Sequence, residues 1–96
     1  MPQLLVTTVY EGSPVGDLVA GRPIPGLPVQ VGGLGRDVTE ATTDEAGSCT
    51  VDIDDEGEWT VRVDTSADGG RLVGLMTVRV AGPFALIALP VRYRPD

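Results

Sequence analysis

Glu58-Trp59-Thr60-Val61-Arg62-Val63-Asp64 alternates without a break. Trp59, Val61 and Val63 fall on one side, and Thr60 and the charged residues fall on the other. An extended strand sends successive side chains to opposite faces, so this segment predicts a strand with one face on a core and one in water. The same alternation recurs upstream in Ser48-Cys49-Thr50-Val51-Asp52-Ile53 and in Leu27-Pro28-Val29-Gln30-Val31. Turn chemistry lies between these segments. Thr43-Asp44-Glu45-Ala46-Gly47 and Asp54-Asp55-Glu56-Gly57 both finish on a glycine, which tolerates positive φ. Ala67-Asp68-Gly69-Gly70 and Ala81-Gly82-Pro83 are further breaks.

Working outward, the pattern predicts seven strands, over residues 3–10, 27–32, 36–43, 48–53, 58–64, 72–80 and 84–93. Short strands with turn signals every eight to twelve residues indicate an all-β fold, a seven-stranded antiparallel immunoglobulin-like sandwich. No segment longer than a turn carries a 3.6-residue period. Thirteen glycines and eight prolines in 96 residues also argue against long helices. The length suits one domain, residues 1–96, with neither repeat nor linker. Residues 12–28 hold Pro14, Pro23, Pro25 and Pro28, and predict a long connection with a short edge segment at Asp17-Leu18-Val19-Ala20.

Charge and composition exclude several functions. The net charge is −7. Residues 37–68 hold eleven acids against Arg62 alone, whereas residues 69–96 carry Arg71, Arg79, Arg92 and Arg94 against Asp96. An acidic body without a concentrated basic face disfavours nucleic acid and anionic membrane as partners. The longest apolar run, residues 84–91, is far short of the roughly 20 residues a membrane helix needs. The start, Met1-Pro2-Gln3-Leu4-Leu5, has no basic residue and too short an apolar run for a signal peptide, so synthesis and folding in a cytoplasm are expected. The chain lacks His, Lys and Asn, which removes imidazole acid–base chemistry, Schiff-base chemistry and His-ligated metal. The lone Cys49 is in phase with Val51 and Ile53 and reads as a core residue, not a nucleophile.

Three stretches carry a family likeness. They are Gly21-Arg22-Pro23-Ile24-Pro25-Gly26-Leu27-Pro28-Val29-Gln30-Val31, then Ala41-Thr42-Thr43-Asp44-Glu45-Ala46-Gly47-Ser48-Cys49-Thr50-Val51, then Gly57-Glu58-Trp59-Thr60-Val61-Arg62-Val63. Together they resemble the prealbumin-like β-sandwich superfamily, which includes carboxypeptidase regulatory-like domains, transthyretin-like domains and B-type repeats of Gram-positive collagen adhesins. The resemblance covers residues 21–64 and implies a sandwich with Trp59 between its sheets. It does not imply a function, because such folds host many roles. The adhesin repeats that close an isopeptide bond need a Lys, which this chain lacks. The related hydroxyisourate hydrolases use histidines and a terminal Tyr-Arg-Gly-Ser, whereas this chain ends Tyr93-Arg94-Pro95-Asp96.

Other candidate chemistry reads as structure. Asp52-Ile53-Asp54-Asp55-Glu56-Gly57 begins like a calcium loop, but the twelfth position, which needs a bidentate Glu, is Val63. A solvated acidic turn is expected there. Gly32-Gly33-Leu34-Gly35-Arg36 follows a strand without opening a helix, so a hairpin turn is expected in place of a phosphate cradle. No catalytic, cofactor-binding or metal-binding residue is assigned.

The last third departs from alternation. Phe84-Ala85-Leu86-Ile87-Ala88-Leu89-Pro90-Val91 is apolar on both faces, and Leu72-Val73-Gly74-Leu75-Met76-Thr77-Val78 nearly so. A sandwich strand has one buried face, so the other needs a cover. Either the proline-rich connection packs over it, or it is a subunit or partner interface built from Phe84, Leu86, Ile87, Leu89, Val91, Arg92, Tyr93 and Arg94. The charge division favours head-to-tail or ring-like contacts in which Arg79, Arg92 or Arg94 meets a neighbour's acids. The expectation is a non-enzymatic structural or interaction module that self-assembles or binds a protein partner. The absence of Lys and Asn, with abundant Gly, Ala, Val, Arg and Pro, matches a high-GC coding sequence. The setting expected is a tailed-phage virion, as a head-decoration or minor tail component. The alternative is a bacterial small-ligand or carbohydrate/peptide binding module, which would need a concave pocket lined by aromatics.

Overall fold

The computed structural model describes residues 2–33, 35–67 and 69–95. The segment Glu58–Asp64 lies in strand β5 (Gly57–Ala67), which pairs antiparallel with β6 (Gly70–Val80) along its whole length, from Gly57 opposite Val80 to Ala67 opposite Gly70. The hairpin is longer than alternation predicts, because polar Thr65 and Ser66 remain paired, with Leu72 and Arg71. Asp68, in its turn, and Leu34, in the glycine-rich turn, lie outside the described residues.

The remaining strands are β1 (Gln3–Glu11), β2 (Pro28–Gly33), β3 (Arg36–Thr42), β4 (Ser48–Asp52) and β7 (Phe84–Pro95). The protein is all-β with seven strands, and no helix occurs among the described residues. The order is β3-β2-β5-β6-β7-β1-β4 in one hydrogen-bonded sheet. β3 and β4, the ends of that order, approach each other without pairing, so the sheet curls nearly into a barrel.

The expected antiparallel arrangement needs one correction. β1 and β7 run parallel, from Gln3 opposite Phe84 to Glu11 opposite Arg92. Parallel neighbours need a long crossover, and here the intervening chain supplies it. The expected edge segment at 17–20 is also absent; a single bridge joins Val15 and Leu18.

β6 and β7 pair only where Gly70–Val73 meets Arg92–Pro95. Two glycines permit that approach. A Cβ on Gly70 would stand 2.5 Å from the Arg94 carbonyl oxygen, and one on Gly74 would stand 2.7 Å from that of Pro90. Beyond this corner, Gly74 to Val80 and Phe84 to Val91 separate into two half-sheets, β3-β2-β5-β6 and β7-β1-β4.

The core lies between the halves. Val29 and Val31 from β2, Val61 from β5, Leu4 and Val6 from β1, and Leu89 and Val91 from β7 are completely buried. Burying such side chains is worth about 1.5–3 kcal/mol each. Trp59 is 3% exposed, donates its Nε1–H to the Asp55 carbonyl at 3.0 Å, and carries the Arg36 guanidinium 4.1 Å above its ring centroid.

The proline-rich connection leaves Phe84 and Leu86 of β7 exposed. It closes the opposite seam, where Ile24 and Leu27 enter the core. Its backbone bonds to β1 at Tyr10 and to Thr43, just past β3. Two buried threonines hold it. Thr8 Oγ1 lies 3.1 Å from the Ile24 carbonyl and 2.9 Å from that of Gly47, and accepts the Ile24 amide at 3.2 Å.

Candidate functional site: the outer face of β7

Parallel pairing with β1 sets the phase of β7. Opposite the buried Leu4, Val6, Thr8 and Tyr10 stand Ala85, Ile87, Leu89 and Val91. Those four face the core, and Tyr93, two residues on, packs against it. The outer set is Phe84, Leu86, Ala88, Pro90, Arg92 and Arg94. Phe84 is 48% exposed and Leu86 66% exposed.

The eight nominated residues therefore do not form one contact. Phe84, Leu86, Arg92 and Arg94 share the exposed face, whereas Ile87 and Tyr93 are half-buried and Leu89 and Val91 are in the core. Sequence reasoning missed two neighbours on β1. Leu5, opposite Leu86, and Val9, opposite Pro90, are half-buried on the outer side and extend the apolar surface across two strands. The doubled Leu4-Leu5 and Val9-Tyr10, apolar on both faces, carry the signal for it.

Charge frames this surface at its ends. From the level of Leu5 and Leu86 to that of Val9 and Pro90, neither strand carries a charge. At the far end Arg92 bridges Glu11 at 3.4 Å. Arg94 is exposed and has no ion-pair partner among the described residues. At the near end Gln3 donates to Asp52 at 2.9 Å, and Glu56 accepts the Gly82 amide in the turn before Phe84.

The acidic turn is structurally occupied. Asp55 pairs with Arg36, and no three His, Cys, Asp or Glu side chains among the described residues group as a metal site. Among the described residues, Asp64 and Cys49 are perturbed. Hydrogen bonds from Arg71 and then Arg62 hold the Asp64 carboxyl below its ordinary range and keep it charged. Burial, with Asp44 nearby, pushes the Cys49 thiol up and keeps it protonated. Neither group lies on the outer face of β7.

Two open hollows adjoin the Arg92–Arg94 end of β7. One of about 420 Å³ is lined by Arg62, Asp64, Val73, Leu75 and Arg94. Another of about 500 Å³ is lined by Tyr10, Ser13, Arg92 and Tyr93, among others.

No family model matches the chain, and neither a curated protein nor a solved structure matches it.

Proposed function

We propose that the chain is a non-enzymatic structural module that docks onto protein through the outer face of β7. Leu86 carries this reading: it is 66% exposed, beside Phe84 at 48%, on a surface without charge at its centre. Contiguous exposed apolar surface of this kind marks interaction sites. The fold proposed is prealbumin-like, with the two half-sheets as its layers; the short β6–β7 pairing and the buried Trp59 support that reading. The setting proposed is a larger particle, a tailed-phage virion in which the chain serves as head decoration or minor tail component. Its support is compositional.

Ligand binding is the second reading, since the hollow of about 500 Å³ is lined by both tyrosines. Tyr10, however, is 1% exposed and gives its hydroxyl to the Ser13 carbonyl at 2.5 Å, so its ring face is not open for stacking.

A photo-crosslinking residue at position 86, compared with one at the exposed Thr77, tests docking in cells of the natural source. Protein adducts from position 86 alone are expected. Absence of any adduct from positions 84, 86 and 88 would end the docking reading. Presence of the chain in purified particles of that source tests the setting.

A further inference from the structure

We propose that the hollow over Val73 and Leu75 binds a monocarboxylate bearing an apolar substituent, with Arg94 as its anchoring cation. The site is separate from the Phe84 and Leu86 end of β7, and it goes beyond the docking reading without depending on it.

Three strands build the site. Where β5, β6 and β7 lie side by side, their outer residues form a grid. Arg62 stands opposite Leu75. Asp64 stands opposite Val73, and Val73 opposite Arg92. Ser66 stands opposite Arg71, and Arg71 opposite Arg94. The hollow of about 420 Å³ opens on this grid and is lined by Arg62, Asp64, Val73, Leu75 and Arg94, among others.

Charge here inverts that of the chain as a whole. Arg62, Arg71, Arg92 and Arg94 belong to the grid, against Asp64 and, beside Arg92, Glu11. Three of these arginines are committed. Arg62 and Arg71 share Asp64, at 3.1 and 2.6 Å, and Arg71 also donates to Ser66. Arg92 bridges Glu11 on β1. Arg94 has no ion pair among the described residues, and it stands directly across from Arg71. Like charges directly opposite each other destabilise a sheet. An anion beside Arg94 relieves that opposition.

The groups around Arg94 define the ligand. Asp64 stays ionised, so a multiply charged anion meets repulsion there. A single carboxylate does so least, and a guanidinium fork holds it through two parallel hydrogen bonds. Beside Arg94 in the hollow, Leu75 is 69% exposed and Val73 half-buried. The apolar substituent covers these two side chains, the division of labour usual in small-ligand sites.

Titration of the full chain with hexanoate, followed by two-dimensional amide NMR, tests this. Saturable shifts are expected at Val73, Gly74, Leu75 and Arg94, with a dissociation constant in roughly the millimolar range. Hexanamide, which lacks the charge, should bind about fivefold or more weakly. Arg94→Gln should weaken hexanoate about as much, and Arg94→Lys about twofold to threefold. Arg94→Gln should leave the urea midpoint unchanged or raise it, because the opposition to Arg71 is gone. Arg79→Gln, opposite Glu58 on the same outer face, should bind like wild type. Leu75→Ala should weaken hexanoate more than acetate. Two sources of the carboxylate are told apart by N-acetyl-Leu-Glu-Leu-amide: tighter binding than hexanoate marks a protein side chain, weaker binding a free acid, and both uphold the site. No saturable shift up to about 100 mM overturns the proposal. So do equal binding of hexanamide and indifference to Arg94→Gln. Asp96 follows in sequence and lies outside the described residues. Binding that emerges only in Asp96→Asn would show Arg94 already held by that acid, and would also overturn the proposal.

Discussion

The Thr43 hydroxyl donates to the Ile24 carbonyl at 2.7 Å while accepting the Leu27 amide at 2.8 Å. One buried side chain thereby satisfies two backbone groups of the proline-rich connection. The Thr43 backbone adds bonds to Gly26 and Leu27. A segment without a strand ladder is in this way fixed across the seam of the sheet.

Thr43→Val keeps the shape and removes both side-chain bonds. Leaving the buried Leu27 amide without its acceptor should cost about 1–3 kcal/mol. Urea unfolding measures it, and a loss well below that range would show that water replaces the hydroxyl.

Gly74→Ala should destabilise the protein by about 1–3 kcal/mol, because its Cβ meets backbone at 2.7 Å and one strand must move. Gly21→Ala is a useful contrast: its Cβ meets nothing within 4 Å, so any cost there comes from its φ of +84° alone. Loss of amide protection at Gly70–Val73 in Gly74→Ala would locate the damage at the β6–β7 corner.

Trp59→Ala should cost about 3–5 kcal/mol, the usual range for a large aromatic cavity. The wild-type emission maximum should be blue-shifted, as suits a ring that is 3% exposed. Emission typical of full water exposure would contradict the placement of Trp59 in the core.

Cys49 introduces a pH dependence on the alkaline side. Its thiol is raised by burial and by Asp44, so the unfolded thiol ionises first as pH rises. The stability it contributes is full below about pH 8.5 and declines as pH climbs toward the folded value. Urea midpoints between neutral and alkaline pH should fall less in Cys49→Ala than in wild type. A thiol reagent should react slowly with the native protein and quickly with the unfolded one.

Millimolar calcium should leave the melting temperature nearly unchanged, since a ligand stabilises only by binding the folded state. Asp55 is paired with Arg36 and Glu56 with the Gly82 amide. A rise of many degrees, reversed by EDTA, would mark residues 52–58 as a metal loop.

Alternation together with the turn signals between segments places the seven strands, and alternation identifies Trp59, Val61 and Val63 as core, because the direction of a strand side chain depends only on its own backbone. The doubled apolar character of residues 84–91 likewise marks the candidate face from sequence alone, since a strand between one core and water has no local reason to be apolar on both sides. Pairing partners are beyond that logic. Gln3 lies beside Phe84, and alternation within each strand is the same whether the pair runs parallel or antiparallel. Which set of β7 residues is buried depends on that register, since shifting it by one residue would exchange Leu86 for Ile87. The course of the proline-rich connection is hidden for a related reason. Thr8 and Thr43 read as ordinary polar residues in sequence, and only the closing of the sheet brings their hydroxyls to Ile24. Local chemistry determined the strands and the surplus of apolar surface; closure of the sheet, a balance of packing and hydrogen bonds over the whole chain, decided where that surplus faces.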